Sequence, residues 1–94
     1  MVMSKIPVYF MPGLAASPTI FENIKLPEDQ FEMHFLEWFL PTDKETIESY
    51  ALRMTEKIQD ENPVLVGVSF GGVLVQEMAK QMKVRKVIII SSVK

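Results

Sequence analysis

The chain has 94 residues, 48% of them hydrophobic and 23% charged, with a formal net charge of −2. That length makes one small domain that buries roughly 60% of its unfolded surface, and that composition excludes a disordered chain. With no cysteine and only scattered Lys and Arg, it offers no disulfide framework, thiol nucleophile or cysteine-ligated metal, and no patch for nucleic acid or an anionic membrane.

The first residues, Met1-Val2-Met3-Ser4-Lys5, contain no apolar signal core, and no apolar run approaches the roughly 20 residues of a bilayer span. A cytoplasmic chain is expected. Residues 6–11 are β-branched and aromatic and predict a buried strand, with Pro7 near its start, where a missing N–H does least harm. A loop of small residues follows, Pro12-Gly13-Leu14-Ala15-Ala16-Ser17. Ser17-Pro18 then signals a helix start, the serine as N-cap and the proline at the first helical position. This predicts a helix over 18–24 that carries Ile20, Phe21 and Ile24 and ends before Pro27.

Residues 31–36 alternate, with Phe31, Met33 and Phe35 on one face and Glu32, His34 and Leu36 on the other. Half-burial of that kind predicts a strand near a sheet edge. Thr42-Asp43-Lys44-Glu45 reads as a capping box, Thr42 as N-cap and Glu45 at N3. The helix it opens, over 43–60, lines up Ile47, Tyr50, Ala51, Met54 and Ile58 on one face, and Asn62-Pro63 stops it. A strand over 63–68 and a helix over 70–82 follow, the helix placing Val75, Met78, Ala79 and Met82 inward and Gln76, Glu77, Lys80 and Gln81 outward. The last strand, over 86–91, is apolar on both faces through Val87, Ile88, Ile89 and Ile90, and is expected to be buried. Alternating strands and helices without repeat or linker predict an α/β fold over 1–94. Its four parallel strands would form a doubly wound sheet with helices on both faces.

The most informative stretch is Val64-Leu65-Val66-Gly67-Val68-Ser69-Phe70-Gly71-Gly72. It reads as a strand turning sharply into a helix with Ser69 on the turn. A Cβ at position 67 or 71 would collide with neighbouring backbone there. The Ser69 hydroxyl would stand at the carboxyl end of the strand, beside the Phe70 N–H at a helix N-terminus that favours negative charge. Gly-x-Ser-x-Gly alone arises by chance in roughly three chains per hundred of this length. Its position between a β-branched run and an amphipathic helix is what gives it weight.

Through Gly67-Val68-Ser69-Phe70-Gly71 the chain resembles the α/β-hydrolase family, whose nucleophile elbow has this pattern. The resemblance implies the strand order 2-1-3-4, the central part of the hydrolase sheet. It implies Ser69 as nucleophile, with the backbone N–H groups of Phe70 and Leu14 as oxyanion donors. Met11-Pro12-Gly13-Leu14 occupies the place of the family's His-Gly-x loop, with Pro12 where the family has a non-catalytic histidine. Gly13, Leu14 and Phe70 are then the expected substrate contacts. The implied reaction is hydrolysis of a small ester, thioester or amide through an acyl-enzyme, without a cofactor.

That chemistry also needs a base and an acid, which in the family follow the nucleophile. Beyond Ser69 the chain has Glu77 as its only carboxylate side chain and no histidine. Glu77 reads as a solvated charge, and His34, which precedes the serine, as a packed strand residue. Family members are much longer, so the 94 residues are expected to be a fragment of a longer hydrolase or a chain whose edge at Val87, Ile88, Ile89 and Ile90 is covered. A second copy would cover it, as would a partner polypeptide carrying Asp and His.

The competing reading is a small-anion or acyl-binding module built on the same elbow. A nucleotide site is disfavoured, since neither Gly-x-Gly-x-x-Gly nor Gly-Lys-Ser/Thr occurs. No metal site is expected from one histidine, no cysteine and no His/carboxylate pair at ligand spacing. Phe21 and Trp38 each follow the carboxyl end of a predicted strand. They are read as core aromatics, with lining of an acyl site as the sharper alternative.

Overall fold

Alternate residues of a strand face opposite ways, and in the computed structural model, which describes residues 5–13 and 25–90, that alternation divides the core in two. Along β1 (Ile6–Met11), Tyr9 and Met11 face one layer and Val8 and Phe10 the other. β2 (Phe31–Phe35), β3 (Val64–Val68) and β4 (Lys86–Ile90) complete a four-stranded sheet in the order β2-β1-β3-β4, every neighbouring pair parallel. This is the α/β fold and strand order expected.

The Tyr9 face carries both described helices, α1 (Ile47–Thr55) and α2 (Phe70–Ala79). Tyr50, Ala51 and Met54 of α1 and Leu74, Val75 and Met78 of α2 close with Met11 and Leu65 into one cluster. On the other face Val8, Phe10, Val64 and Val66 form a second cluster, flanked by Leu26, Phe31 and Met33. The helices were expected on both faces; among the described residues they occupy one. The helix expected over 18–24 lies outside the described residues. No described helix is long and apolar enough to cross a membrane.

Four local expectations need correction. The helix after β2 starts at Ile47, because Lys44 takes a left-handed φ of 61° and a helix cannot run through it. Its N-cap is Thr46, whose Oγ1 accepts from the Ser49 N–H at 3.0 Å. Half of the capping contact between Thr42 and Glu45 is present, Thr42 N–H donating to Glu45 Oε1 at 2.9 Å, but Glu45 N–H donates to the Thr42 carbonyl at 3.1 Å, which closes a turn ahead of the helix. At its far end the helix closes at Thr55, and the chain reaches Pro63 through a turn and a left-handed Asn62 at φ 56°.

In α2 the buried set is Leu74, Val75 and Met78, with Ala79 and Met82 only half-buried. The helix ends at Ala79 as Lys80 and Gln81 bond back three residues, to Glu77 and Met78. β4 is not buried: Ile88, Ile89 and Ile90 are 39%, 47% and 41% exposed, since among the described residues this strand has a neighbour on one side only.

Candidate functional site

β3 delivers Ser69 to the carboxyl end of the sheet, and two glycines make the turn there. A Cβ on Gly67 would stand 2.4 Å from the Gly71 carbonyl oxygen and 2.6 Å from the Gly72 Cα. A Cβ on Gly71 would stand 2.5 Å from the carbonyl oxygens of both Met11 and Pro12. Each obstacle is backbone and cannot move aside. α2 therefore packs backbone to backbone against the strand it leaves and against the end of β1.

Ser69 sits between them at φ 57° and ψ −123°, a backbone conformation that costs an L-residue on the order of 1–3 kcal/mol. Two hydrogen bonds hold it there. Its N–H donates to the Ile90 carbonyl of β4, and its own carbonyl accepts from Gly72 N–H, each at 2.9 Å. The side chain makes no capping hydrogen bond to α2, and Ser69 is exposed. Phe70 opens α2, so its N–H is among the first-turn donors that no helical carbonyl can reach.

The loop after β1 lies alongside. The Cβ direction of Gly13 meets Ser69 Cβ at 3.5 Å and Oγ at 4.0 Å. Trp38, beyond β2, ties this loop down: its indole Nε1–H is shared between the carbonyls of Pro12 and Gly13, both at 3.0 Å. The same ring stacks on Phe70 with centroids 5.7 Å apart and leans on Tyr50 at 5.6 Å. Beside it a cleft of about 300 Å³ is lined mainly by Trp38, Phe39, Pro41, Ile47, Tyr50 and Phe70. The structure thus brings Gly13, Ser69 and Phe70 together. Leu14, the other expected oxyanion donor, and Phe21 lie outside the described residues.

Trp38 is more than the core aromatic it was expected to be. A buried indole N–H looks for an acceptor, and that requirement is the signal in the sequence; which carbonyls supply it is settled by the fold.

No described imidazole or carboxylate is hydrogen-bonded to the Ser69 hydroxyl. Glu77 pairs with Lys80 at 3.0 Å along the outer side of α2. Near the small cleft, Glu45 is held by Arg53 in a two-pronged pair, Nη2 to Oε1 at 2.7 Å and Nε to Oε2 at 2.8 Å. The Arg53 guanidinium holds the Glu45 carboxyl down at about 2 against the opposing effect of desolvation, helped by Thr42 N–H and the Ser49 hydroxyl.

His34 belongs to a different group. It stacks on Tyr9 with ring centroids 4.5 Å apart, and its Nε2 lies 3.3 Å from Glu32 Oε1 and 3.6 Å from Asp60 Oδ2. The expectation that no His/carboxylate pair stands at ligand spacing is therefore corrected: two residues apart on a strand is one face. Burial, and then the hydrogen bond to Asp60, push the Tyr9 phenol up to about 12.

Comparison with curated proteins and with solved structures finds no match. A family model matches residues 15–94, a span that includes Trp38, the Glu32–His34 strand and the whole Ser69 elbow. The chain belongs to the Uncharacterised protein family (UPF0227).

Proposed function

We propose that the chain is a serine hydrolase of the α/β-hydrolase type, acting on a small ester, thioester or amide through an acyl-enzyme on Ser69. The observation that carries this reading is the backbone of Ser69. A non-glycine residue held at φ 57°, exposed, at a strand-to-helix turn of glycines is a stored strain of the kind found at reactive centres. The hydroxyl oxygen attacks the substrate carbonyl, and the negative charge that develops falls beside the Phe70 N–H at the positive end of α2. Gly13 and the Trp38 brace set the opposite wall; the second donor that the resemblance implies, the Leu14 N–H, lies outside the described residues. The hydroxyl proton must pass to a base. His34 is the single histidine of the 94 residues; it lies beside Glu32 and Asp60 and makes no hydrogen bond to Ser69 among the described residues. The acid and base are therefore taken from a polypeptide segment laid against β4, whose Ile90 already holds the elbow.

The test is labelling with a fluorophosphonate probe, which phosphonylates activated serines. With the segment that carries the acid and base present, wild type should label at one serine and Ser69→Ala should not. Equal labelling of the two proteins would rule Ser69 out.

A second reading keeps the elbow as a small-anion or acyl-binding site without turnover, and the absence of a base bonded to Ser69 among the described residues favours it. Calorimetric titration with acetate and phosphate separates the two. Saturable binding that weakens in Ser69→Ala, without probe labelling of the wild type, supports the binding module.

A further inference from the structure

We propose that Glu32, His34 and Asp60 form a binding site for a first-row divalent transition-metal cation, with Zn²⁺ the best match to their chemistry. Glu32 and His34 stand two residues apart on β2 and so face the same way. Asp60 comes from the loop between α1 and β3. One donor atom from each side chain lies within 4.8 Å of the other two. Ligands on a tetrahedral centre with bonds of about 2.0–2.1 Å are separated by roughly 3.3–3.4 Å. The His34 Nε2 separations of 3.3 Å to Glu32 Oε1 and 3.6 Å to Asp60 Oδ2 fit two edges of such a polyhedron.

The environment of the histidine nitrogen adds to the geometry. On a side chain that is 35% exposed, its Nε2 is itself shielded from solvent and hydrogen-bonded to neither carboxylate, although both are close. A buried polar atom without a partner carries a desolvation penalty, and a cation between the three donors removes it. The local charge argues the same way. No described Lys or Arg is ion-paired with Glu32 or Asp60, and Lys57, the one of them lining the same cleft, sits over the Phe39 ring instead. An imidazole with two carboxylates suits Zn²⁺ better than Mg²⁺ or Ca²⁺, which favour all-oxygen shells.

The surroundings are those of a held site. Tyr9 fixes the imidazole plane by stacking, 15° from parallel, and orients Asp60 by donating its hydroxyl to Oδ2 at 2.6 Å. Outer contacts of this kind set the direction of metal ligands. The three residues open on a cleft of about 1000 Å³, which gives the ion an entry path and leaves room for water as a further ligand. Asp60 precedes β3 and Ser69 follows it, and no residue of the three-ligand group is hydrogen-bonded to Ser69. The ion would tie the edge strand β2 to the α1–β3 loop.

The test is titration of the metal-free chain with Zn²⁺ at neutral pH against a chromogenic chelator, together with thermal melts with and without the ion. One Zn²⁺ per chain and a melting temperature higher by several degrees are expected. His34→Ala and Asp60→Asn should each weaken binding at least tenfold, and Glu77→Gln, a paired carboxylate elsewhere, should leave it unchanged. Lack of saturable binding to wild type overturns the proposal whether or not the variants fold. So does undiminished binding in a folded His34→Ala, and so does a preference for Mg²⁺ over Zn²⁺.

Discussion

At Ser69 an L-residue occupies a backbone conformation that suits glycine, and hydrogen bonds from two elements hold it there. The strain belongs to the Cβ, not to the hydroxyl, which separates two substitutions that look alike. Ser69→Ala keeps the Cβ and so keeps the strain. Ser69→Gly removes it, at the price of about 0.5–1 kcal/mol of extra chain entropy in the unfolded state. With a strain on the order of 1–3 kcal/mol, Ser69→Gly should be the more stable by about 1 kcal/mol, or roughly 4–8 °C in melting temperature for a chain of this size. Paired thermal and urea denaturation of the two variants checks this; Ser69→Ala equal to or above Ser69→Gly would mean that the backbone at 69 is not strained. The elbow was legible because its requirements are local: small residues two places either side of a serine, between a strand and a helix. Two other residues were not legible in the same way. Trp38 acts on carbonyls 25 and 26 residues away, and Asp60 meets His34 only once β2 and the α1–β3 loop are side by side. The half of the His34 group that is local, Glu32 two residues earlier on the same strand face, was within reach of the sequence, since the alternation over 31–36 already puts the two side chains on one side.

α1 shows how a correct pattern still misplaces an element's end. The apolar spacing of Tyr50, Ala51 and Met54 requires a helix whose inner face meets the sheet, and it is there. The start went wrong because two overlapping signals compete. Thr42-x-x-Glu45 and Thr46-x-x-Ser49 are both cap-like, and the left-handed Lys44 decides for the second. Glu45, released from capping the helix, becomes instead the anchor for Arg53 in the last turn, whose guanidinium also lies 4.4 Å over the Phe39 ring. This pair fixes the segment between β2 and α1 that lines the small cleft. It also makes stability depend on pH with a definite sign. The Glu45 carboxyl titrates at about 2 in the folded chain against 4.5 as its ordinary value, so the folded state holds the proton less tightly than the unfolded one. The contribution is complete above about pH 5 and is lost as the pH falls from there towards 2. Urea midpoints of wild type and Glu45→Gln should therefore differ most above pH 5 and converge by about pH 2. A gap that stays constant through this window would show that Arg53 does not hold the carboxylate charged.

The whole sheet follows from the alternation of strands and helices, which dictates parallel strands, and the order β2-β1-β3-β4 agrees with the one implied by the resemblance at the elbow. What alternation does not reveal is how much cover an element has. The run Val87-Ile88-Ile89-Ile90 reads as buried because it is apolar on both faces, yet it forms the outermost strand of the four and is largely exposed. Its hydrogen bonding also has a direction. Ile90 turns its carbonyl towards β3, where Ser69 N–H donates to it. In a strand the N–H and carbonyl of one residue point to the same side and alternate along the chain, so Ile88 also faces β3 while Val87 and Ile89 present theirs to the open edge. An unpaired apolar edge of this kind is a template for another strand. The 94-residue chain by itself is therefore expected to associate as its concentration rises from micromolar to millimolar, read by sedimentation velocity or light scattering. Ile89→Lys puts a charge on the edge residue whose backbone faces outward and leaves the Ile90–Ser69 bond in place, so it should cut association several-fold with the far-UV spectrum unchanged. Association of wild type that Ile89→Lys does not reduce would place the contact elsewhere, and a wild type that stays monomeric throughout would mean that β4 does not recruit a strand at all. The edge matters beyond solubility, because β4 holds the Ser69 amide: whatever strand it accepts is built directly onto the element that fixes the elbow.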